Sequence, residues 1–259
     1  EETINFISRD DLIKFRDKYF TSGRLSFVAS GDIEIQELKT GFENTLMLPS
    51  SDPCLFPEDL PIIRKQIFSV EPYEKIDQAY MVYGFRAPRI LNPDEYTLNV
   101  IAEILGGGRA STLNKKLRYE KGLVYNVSAW LSSLADCGSW AVMTSTSKDK
   151  VNEVIEIITK EIKRVMDNGL TQEEIEFAKN KIIKSKLMEM QTSGSWVGFH
   201  SHYESISRTG AWTLEDYLKG IELVTQEKTK EVANSYFGKD KWFIGICGDI
   251  KEGDVEVVW

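Results

Sequence analysis

Apolar residues recur at helical spacing along several stretches of this chain. Residues 149–167 give the clearest pattern, with one apolar face that predicts an amphipathic helix. That face carries Val151, Val154, Ile155, Ile158, Ile162 and Val165. Other helices are predicted to begin, from capping residues and helical periodicity, at Ser8, Asn92, Thr171, Ser193 and Thr225.

Runs of β-branched and aromatic residues between these helices predict strands. They cover residues 25–32, 79–85, 123–131, 139–146 and 242–249. Ala135-Asp136-Cys137-Gly138 predicts a turn that joins the third and fourth of them. The mixture of long helices and short strands indicates an α+β fold.

Two parts of the chain match one another 217 positions apart, as Asp32 and Asp249 do. The matched pairs are Ser8/Thr225, Tyr19/Tyr236, Phe20/Phe237, Gly31/Gly248 and Asp32/Asp249. A period of this length is longer than a solenoid repeat and indicates a duplicated domain.

The duplication predicts a division of the chain. Residues 1–48 are expected to be the tail of one repeat, 49–61 a proline-containing linker, and 62–259 a complete repeat. The body of the earlier repeat is expected upstream. The strand predicted over 25–30 would then have open edges, so we expect it to pack on a second copy of the chain or on the complete domain.

Composition narrows the classes of partner. The 259 residues are 42% apolar, and this fraction supports a sizeable core. The net charge of −8 argues against nucleic acid or an anionic membrane surface as a partner. No apolar run is long enough to span a bilayer, and no signal peptide is visible. Three scattered cysteines fit reduced thiols, so a cytoplasmic location is favoured although the compartment stays unknown.

The segment 106–129 carries the most distinctive chemistry. Three glycines, Gly106 to Gly108, precede a charged helical stretch, and Gly122 ends that stretch before a strand. Arg118 falls at the helix end and Tyr125 is expected two residues into the strand. This corner would bring a guanidinium and a phenol together, and both are donors suited to a peptide carbonyl.

Leu105-Gly106-Gly107-Gly108, Leu117-Arg118 with Glu120-Lys121-Gly122-Leu123 and Tyr125, and the two Gly-Asp strand ends carry a family resemblance. The chain resembles the pitrilysin/insulinase/mitochondrial-processing-peptidase family, the inverzincin zinc peptidases. The resemblance implies a two-layer antiparallel sheet packed against helices, preceded by the helix–strand tail of an incomplete first repeat. It also implies that Arg118 and Tyr125 bind peptide substrate, opposite a homologous half or partner subunit that carries zinc.

The zinc motif of that family is absent from this sequence. The chain has two histidines, His200 and His202, and no His-x-x-Glu-His. Residues two apart on a helix point to nearly opposite sides, so these two could not bind one ion together. We therefore expect no metal ligands, no cofactor and no catalytic residues in this chain alone, with zinc in the other half.

Two functional interpretations follow. In the first, the chain is the carboxy-terminal, non-zinc half of a zinc metalloendopeptidase, which closes the cavity and binds extended peptide but cannot hydrolyse it alone. In the second, it is a non-catalytic structural or peptide-binding subunit. Under a purely structural reading, Arg118 complements a helix dipole and Tyr125 packs on a neighbouring strand. Whether the parent protein is an enzyme is open.

The histidine inventory generates a direct prediction. The purified chain should contain no stoichiometric zinc and should cleave no peptide, because two histidines at this spacing cannot form a catalytic site. Metal analysis together with a peptide-digestion assay measures both. Zinc held by His200 or His202, or cleavage abolished by a chelator, would contradict this expectation.

Overall fold

A computed structural model describes residues 2–52, 65–206 and 212–259 of the chain. Its helices are α1 (Glu2–Asn5), α2 (Arg9–Tyr19), α3 (Ile35–Thr45), α4 (Asp94–Gly106), α5 (Val151–Asn168), α6 (Gln172–Glu189), α7 (Ser193–Ile206), α8 (Leu214–Glu222) and α9 (Gln226–Tyr236). Its strands are β1 (Ile67–Pro72), β2 (Gln78–Ala87), β3 (Val127–Ser133), β4 (Gly138–Ser147) and β5 (Trp242–Gly248). Asn114–Glu120 forms a π-helical segment.

The strands form one sheet in the order β1-β5-β2-β4-β3. Neighbouring strands run antiparallel except at one edge, where β1 pairs with β5 in parallel. The α+β class and the sheet packed against helices are confirmed. The sheet is mixed rather than wholly antiparallel, because β1, which the sequence pattern did not predict, joins it alongside β5.

One face of the sheet forms the core. Met81, Tyr83 and Phe85 alternate along β2 and are fully buried beneath the helices. Two buried polar groups on this side are bonded: the Tyr83 hydroxyl lies 3.2 Å from the Thr159 hydroxyl of α5, and Trp140 Nε1 donates to the Leu98 carbonyl of α4. The predicted apolar stripe of α5 is buried against this layer.

The described chain divides into two compact units. One consists of Glu1–Pro57 with Met188–Thr213, and the other of Glu58–Leu187 with Leu214–Trp259. The second unit holds the whole sheet. The division at residues 48 and 61 that the internal repeat suggests stays a prediction, and its linker lies partly outside the described residues.

The internal repeat is visible in two helices. α2 and α9 are both 11 residues long, and their bounds differ by the same 217 positions as the sequence match. Ser8 caps α2 by accepting from the Asp11 N–H, and Thr225 caps α9 by accepting from the Lys228 N–H. The two helix starts predicted at these hydroxyl residues are therefore confirmed.

The strands that follow these two helices differ. β5 lies between β1 and β2, whereas residues 25–30 form no strand and have no strand partner among the described residues. The strand predicted there is not formed. A strand needs a neighbour to satisfy its backbone groups, and the side chains of Leu25 and Phe27 remain half exposed.

A buried carboxyl group stabilises the loop before α4. Leu91 has a positive φ of 63°, and its N–H donates to Glu95 Oε2 at 2.8 Å. Glu95 is only 9% exposed. Burial raises the pKa of Glu95 to about 7, while the hydrogen bond from Leu91 opposes that rise.

This shift predicts a pH dependence of stability. The folded chain holds a proton on Glu95 up to about pH 7, whereas an unfolded glutamate loses it near pH 4.5. The free energy of unfolding should therefore fall as the pH rises through this window, by on the order of 3 kcal/mol from this group. Glu95→Gln keeps an acceptor for Leu91 and cannot ionise, so it should remove this part of the decrease.

Urea unfolding followed by circular dichroism at pH 4.5 and pH 7.5 measures the difference. Glu74→Gln, at an exposed position between β1 and β2, is the matched control and should reproduce the wild-type decrease. An equal decrease in wild type and Glu95→Gln would show that Glu95 does not cause it.

Candidate functional site

The glycine-rich turn follows α4 directly. The Gly107 N–H donates to the Glu103 carbonyl at 2.9 Å, and Gly108 has a φ of 118°. A Cβ on Gly106 would lie 2.2 Å from the backbone nitrogen of Ala129 in β3. Glycine is therefore required at 106, because the end of α4 lies against the backbone of β3.

A lysine from another helix holds this turn. Lys181 of α6 donates to the Gly107 carbonyl and forms an ion pair with Glu103 of α4. The Glu103 carboxylate in turn fills the space that a side chain on Gly107 would need. The turn is therefore fixed both by Glu103 of the preceding helix α4 and by Lys181 of the distant helix α6.

The π-helical segment carries Arg118 in its last turn. Leu113 and Leu117 are fully buried and anchor the inner side of this part of the chain. The segment ends as predicted at a glycine: Gly122 has a φ of 60°, and the Leu123 N–H donates to the Leu117 carbonyl at 2.7 Å.

Asn114 joins the parts of the site. Its side chain is buried, and Nδ2 lies 3.0 Å from the Gly108 carbonyl, 2.9 Å from the Val127 carbonyl and 3.0 Å from Ser111 Oγ. One amide group thus bridges the glycine-rich turn, the π-helical segment and the start of β3. The sequence analysis did not find Asn114, because its acceptors are carbonyls that no sequence pattern marks.

Tyr125 lies in the loop before β3 rather than two residues into a strand, so that prediction is wrong. β3 begins at Val127, because the side chains of β4 take the carbonyls that precede it. Thr144 Oγ1 donates to the Asn126 carbonyl and Thr146 Oγ1 to the Leu123 carbonyl, both at 2.6 Å. These two bonds fix the loop while the Tyr125 side chain is 79% exposed.

The structure brings the two predicted site residues together. The Arg118 guanidinium carbon lies 4.9 Å from the centroid of the Tyr125 ring and 5.4 Å from that of Tyr119. Both distances fall within the range of cation–π attraction. Tyr119 was not predicted as a site residue, although its position next to Arg118 could have suggested it.

Ion pairs surround the π-helical segment. Lys116 is paired with Glu161 of α5, whose side chain is only 4% exposed, and Glu161 also accepts from Arg164. Lys121 is paired with Glu153 of α5, and this hydrogen bond raises the pKa of the Lys121 ammonium. The segment is thereby held to α5 on both sides of Arg118.

The described residues do not fit a zinc ion. No group of three or more His, Cys, Asp or Glu side chains is arranged to hold a metal in the part of the chain that the structure describes. His200 stacks on Trp196 at 5.8 Å, and His202 contacts Tyr203. Helix α4 contains no histidine, and its Glu103 is committed to Lys181.

None of the helices in the described part of the chain is long and apolar enough to cross a membrane.

The arrangement at Arg118 and Tyr125 offers hydrogen-bond donors on a corner that is fixed by neighbouring hydrogen bonds. Such a corner suits an acceptor group on a ligand that lies against the surface.

Comparison with known proteins places this architecture in a class of peptidase-related domains. Residues 7–182 match the family model described as Peptidase M16 inactive domain. The chain belongs to this family, and the resemblance seen in the sequence is confirmed.

Two relatives illustrate the match. An uncharacterized zinc protease of Streptomyces coelicolor is 25% identical over 261 residues, which cover 97% of this chain and 56% of that protein. A non-peptidase homolog of Helicobacter pylori, YmxG, is 28% identical over 201 residues, covering 75% of this chain and 45% of that protein. The chain thus spans about half the length of these relatives.

The crystal structure of a peptidase M16 inactive domain from Pseudomonas fluorescens has the same fold, with a TM-score of 0.85 at 19% identity. The match covers 96% of this chain and 59% of that one.

The buried bridge at Asn114 generates a stability prediction. Asn114→Leu should lower the free energy of unfolding by about 1–3 kcal/mol, because the buried Val127 carbonyl loses its donor and the partly buried bond to the Gly108 carbonyl is lost as well. Asn180→Leu is the matched control: Asn180 is exposed and bonds only within its own helix, to Glu176, so its loss should cost less than about 0.5 kcal/mol. Urea unfolding compares the two. Equal costs would mean that the Asn114 bridge contributes nothing beyond a surface bond.

Proposed function

We propose that this chain is the substrate-holding, zinc-free half of a zinc metalloendopeptidase. In this proposal it closes a cavity with a zinc-bearing homologous half or subunit and binds extended peptide. The single observation that carries the proposal is the contact between Arg118 and the exposed Tyr125, on a corner fixed by Asn114, Thr144 and Thr146. Family membership and relatives named as zinc proteases support it.

The proposed ligand contacts follow from the donors available. The Tyr125 hydroxyl can donate one hydrogen bond to a peptide carbonyl, and the Arg118 fork can hold a neighbouring acceptor. A donor aimed at the oxygen that gains negative charge during amide hydrolysis stabilises the transition state more than the ground state. Extended peptides of many sequences would fit, because backbone pairing with a sheet edge such as β3 requires no particular side chain.

The homologous partner half has a proposed contact in residues 25–31. By the internal repeat this segment corresponds to β5, which is flanked by strands on both sides. Residues 25–31 border an open groove of about 930 Å³, and Phe27 packs on Phe42 within it. We propose that strands of the homologous half complete this segment; a second copy of the chain is the alternative occupant.

A non-catalytic subunit of the same fold is the second candidate function. The Helicobacter pylori relative named as a non-peptidase homolog supports it, as does the poor fit of the described residues to zinc. The coding sequence upstream of residue 1, or a neighbouring gene, discriminates between the two candidates. A His-x-x-Glu-His motif there favours the peptidase, and its absence favours the non-catalytic subunit.

The proposal predicts how two substitutions affect turnover by the two-half enzyme. Tyr125→Phe should lower kcat on the order of 10²-fold with little change in KM, because it removes only the hydroxyl donor. Arg118→Ala should impair both kcat and KM, because it also removes ground-state binding. Zinc content should be unchanged in both.

Tyr73→Phe provides the matched control, since it removes a hydroxyl from a half-exposed tyrosine outside the site. Steady-state kinetics on an internally quenched peptide measure all three variants. If Tyr125→Phe and Arg118→Ala both stay within about twofold of wild type, the two residues have only their structural roles.

A further inference from the structure

The short loop that carries Tyr125 differs sharply in burial along its length. Leu123 and Val124 are buried, whereas the Tyr125 side chain is 79% exposed. In the described part of the chain, none of the backbone hydrogen bonds of turns and caps involves residues 124–126. Because an exposed side chain on an unbonded loop samples many positions, other contacts are needed to hold the Tyr125 hydroxyl in one place.

Two threonines of β4 supply these contacts. Thr144 Oγ1 donates to the carbonyl of Asn126, the residue after Tyr125. Thr146 Oγ1 donates to the carbonyl of Leu123, two residues before Tyr125. Both threonines are buried, and they lie on the same face of β4 because they are two residues apart. Their hydroxyls therefore hold the loop on both sides of Tyr125.

The strand that carries these hydroxyls is itself fixed. β4 lies inside the sheet and pairs with β2 along its whole length, and Thr144 faces Val127 of β3 on the other side. A β-branched side chain has little freedom at χ1, so the hydroxyl of a threonine on a paired strand is well placed. The two donors are therefore rigid reference points for the loop.

Arg118 has a different support from Tyr125. It lies on the π-helical segment, which Asn114 connects to the start of β3 and which Lys116 and Lys121 connect to α5. Loss of a threonine hydroxyl from β4 should therefore disturb the placement of the Tyr125 hydroxyl and leave peptide binding by Arg118 intact.

We propose that Thr144 and Thr146 are positioning residues for the Tyr125 hydroxyl. This inference rests on the proposed function, in which that hydroxyl donates to the reacting peptide carbonyl. A donor stabilises the transition state best when it is already held where negative charge develops, so a fixed loop contributes to turnover more than to binding. The buried threonines act on kcat through Tyr125, without contact to the peptide.

Kinetics of the two-half enzyme on an internally quenched peptide test the proposal. Thr144→Val removes the hydroxyl and keeps the β-branched shape. It should lower kcat about fivefold, the factor that one hydrogen bond supplies, and leave KM within about twofold of wild type. Thr146→Val should act in the same direction, and it serves as the test if Thr144→Val does not fold. Thr144→Ser retains a hydroxyl and should restore kcat to within about twofold of wild type.

A double-mutant cycle separates positioning from general destabilisation. In Tyr125→Phe the hydroxyl is already absent, so the addition of Thr144→Val should change kcat by less than about twofold. Thr159→Val is the matched control, since it also removes a buried threonine hydroxyl, which lies 3.2 Å from the Tyr83 hydroxyl of β2 and not in contact with the loop. This control should leave kcat unchanged.

Hydrogen–deuterium exchange of the 259-residue chain gives a second readout that needs no partner half. Thr144→Val should raise the exchange rate of the amides of residues 123–127 about fivefold, because the loop opens more often. Thr144→Ser and Thr159→Val should leave the exchange of this segment as in wild type. Unchanged exchange in both Thr144→Val and Thr146→Val would overturn the inference, because the hydroxyls would then not hold the loop.

The kinetic outcomes distinguish this inference from the proposed function. If Tyr125→Phe lowers kcat and neither threonine-to-valine variant does, the tyrosine hydroxyl acts as proposed and the positioning role is wrong. If the losses from Thr144→Val and Tyr125→Phe multiply in the double variant, Thr144 has only a structural role and the inference is again wrong. If Tyr125→Phe itself leaves kcat unchanged, the proposed function fails and the inference fails with it.

Discussion

One buried amide group determines the geometry of the candidate site. Asn114 spans three pieces of chain that belong to different elements: the turn after α4, the π-helical segment and the first residue of β3. Because the bonds to the Val127 carbonyl and to Ser111 are buried and the bond to the Gly108 carbonyl is partly buried, the three pieces cannot separate without a free-energy cost. The close approach of Gly106 to Ala129 acts in the same direction, since it lets helix and strand meet without intervening side chains.

The charges around the site follow from this rigid corner. Lys116 and Lys121 form ion pairs with carboxylates of α5, whereas the Arg118 guanidinium contacts two tyrosine rings. Two cations of one short segment thus form ion pairs with α5, and a third contacts aromatic rings instead. Glu161 shows the division clearly, because this buried carboxylate connects the segment to Arg164 and through it to Glu174 at the start of α6.

The sequence predicted well whatever depends on local patterns. The buried stripe of α5 and the caps at Ser8 and Thr225 repeat signals that act within a few residues, and the structure has them where they were expected. The contact of Arg118 with Tyr125 followed from a glycine-ended helix leading to a strand. The functional role of that pair was carried by a family resemblance rather than by physical chemistry.

What the sequence missed depends on distant partners. The start of β3 is set by Thr144 and Thr146, which take the carbonyls of the preceding loop from the neighbouring strand. β1 has no distinctive pattern of its own and is defined by its pairing with β5, far along the chain. The segment 25–30 shows the converse: its residues favour a strand, but without a neighbouring strand among the described residues they form none.

The position of β5 has a consequence for the synthesis and folding of the protein on the ribosome. β5 follows the other strands of the sheet in the chain, yet it lies between β1 and β2. Until it emerges, β2 has an open hydrogen-bonding edge beside the apolar side chains of Met81, Tyr83 and Phe85. From the synthesis of β2 until β5 emerges, the nascent chain therefore carries an incomplete sheet with an edge open to pairing, and chaperone protection matters most in that interval.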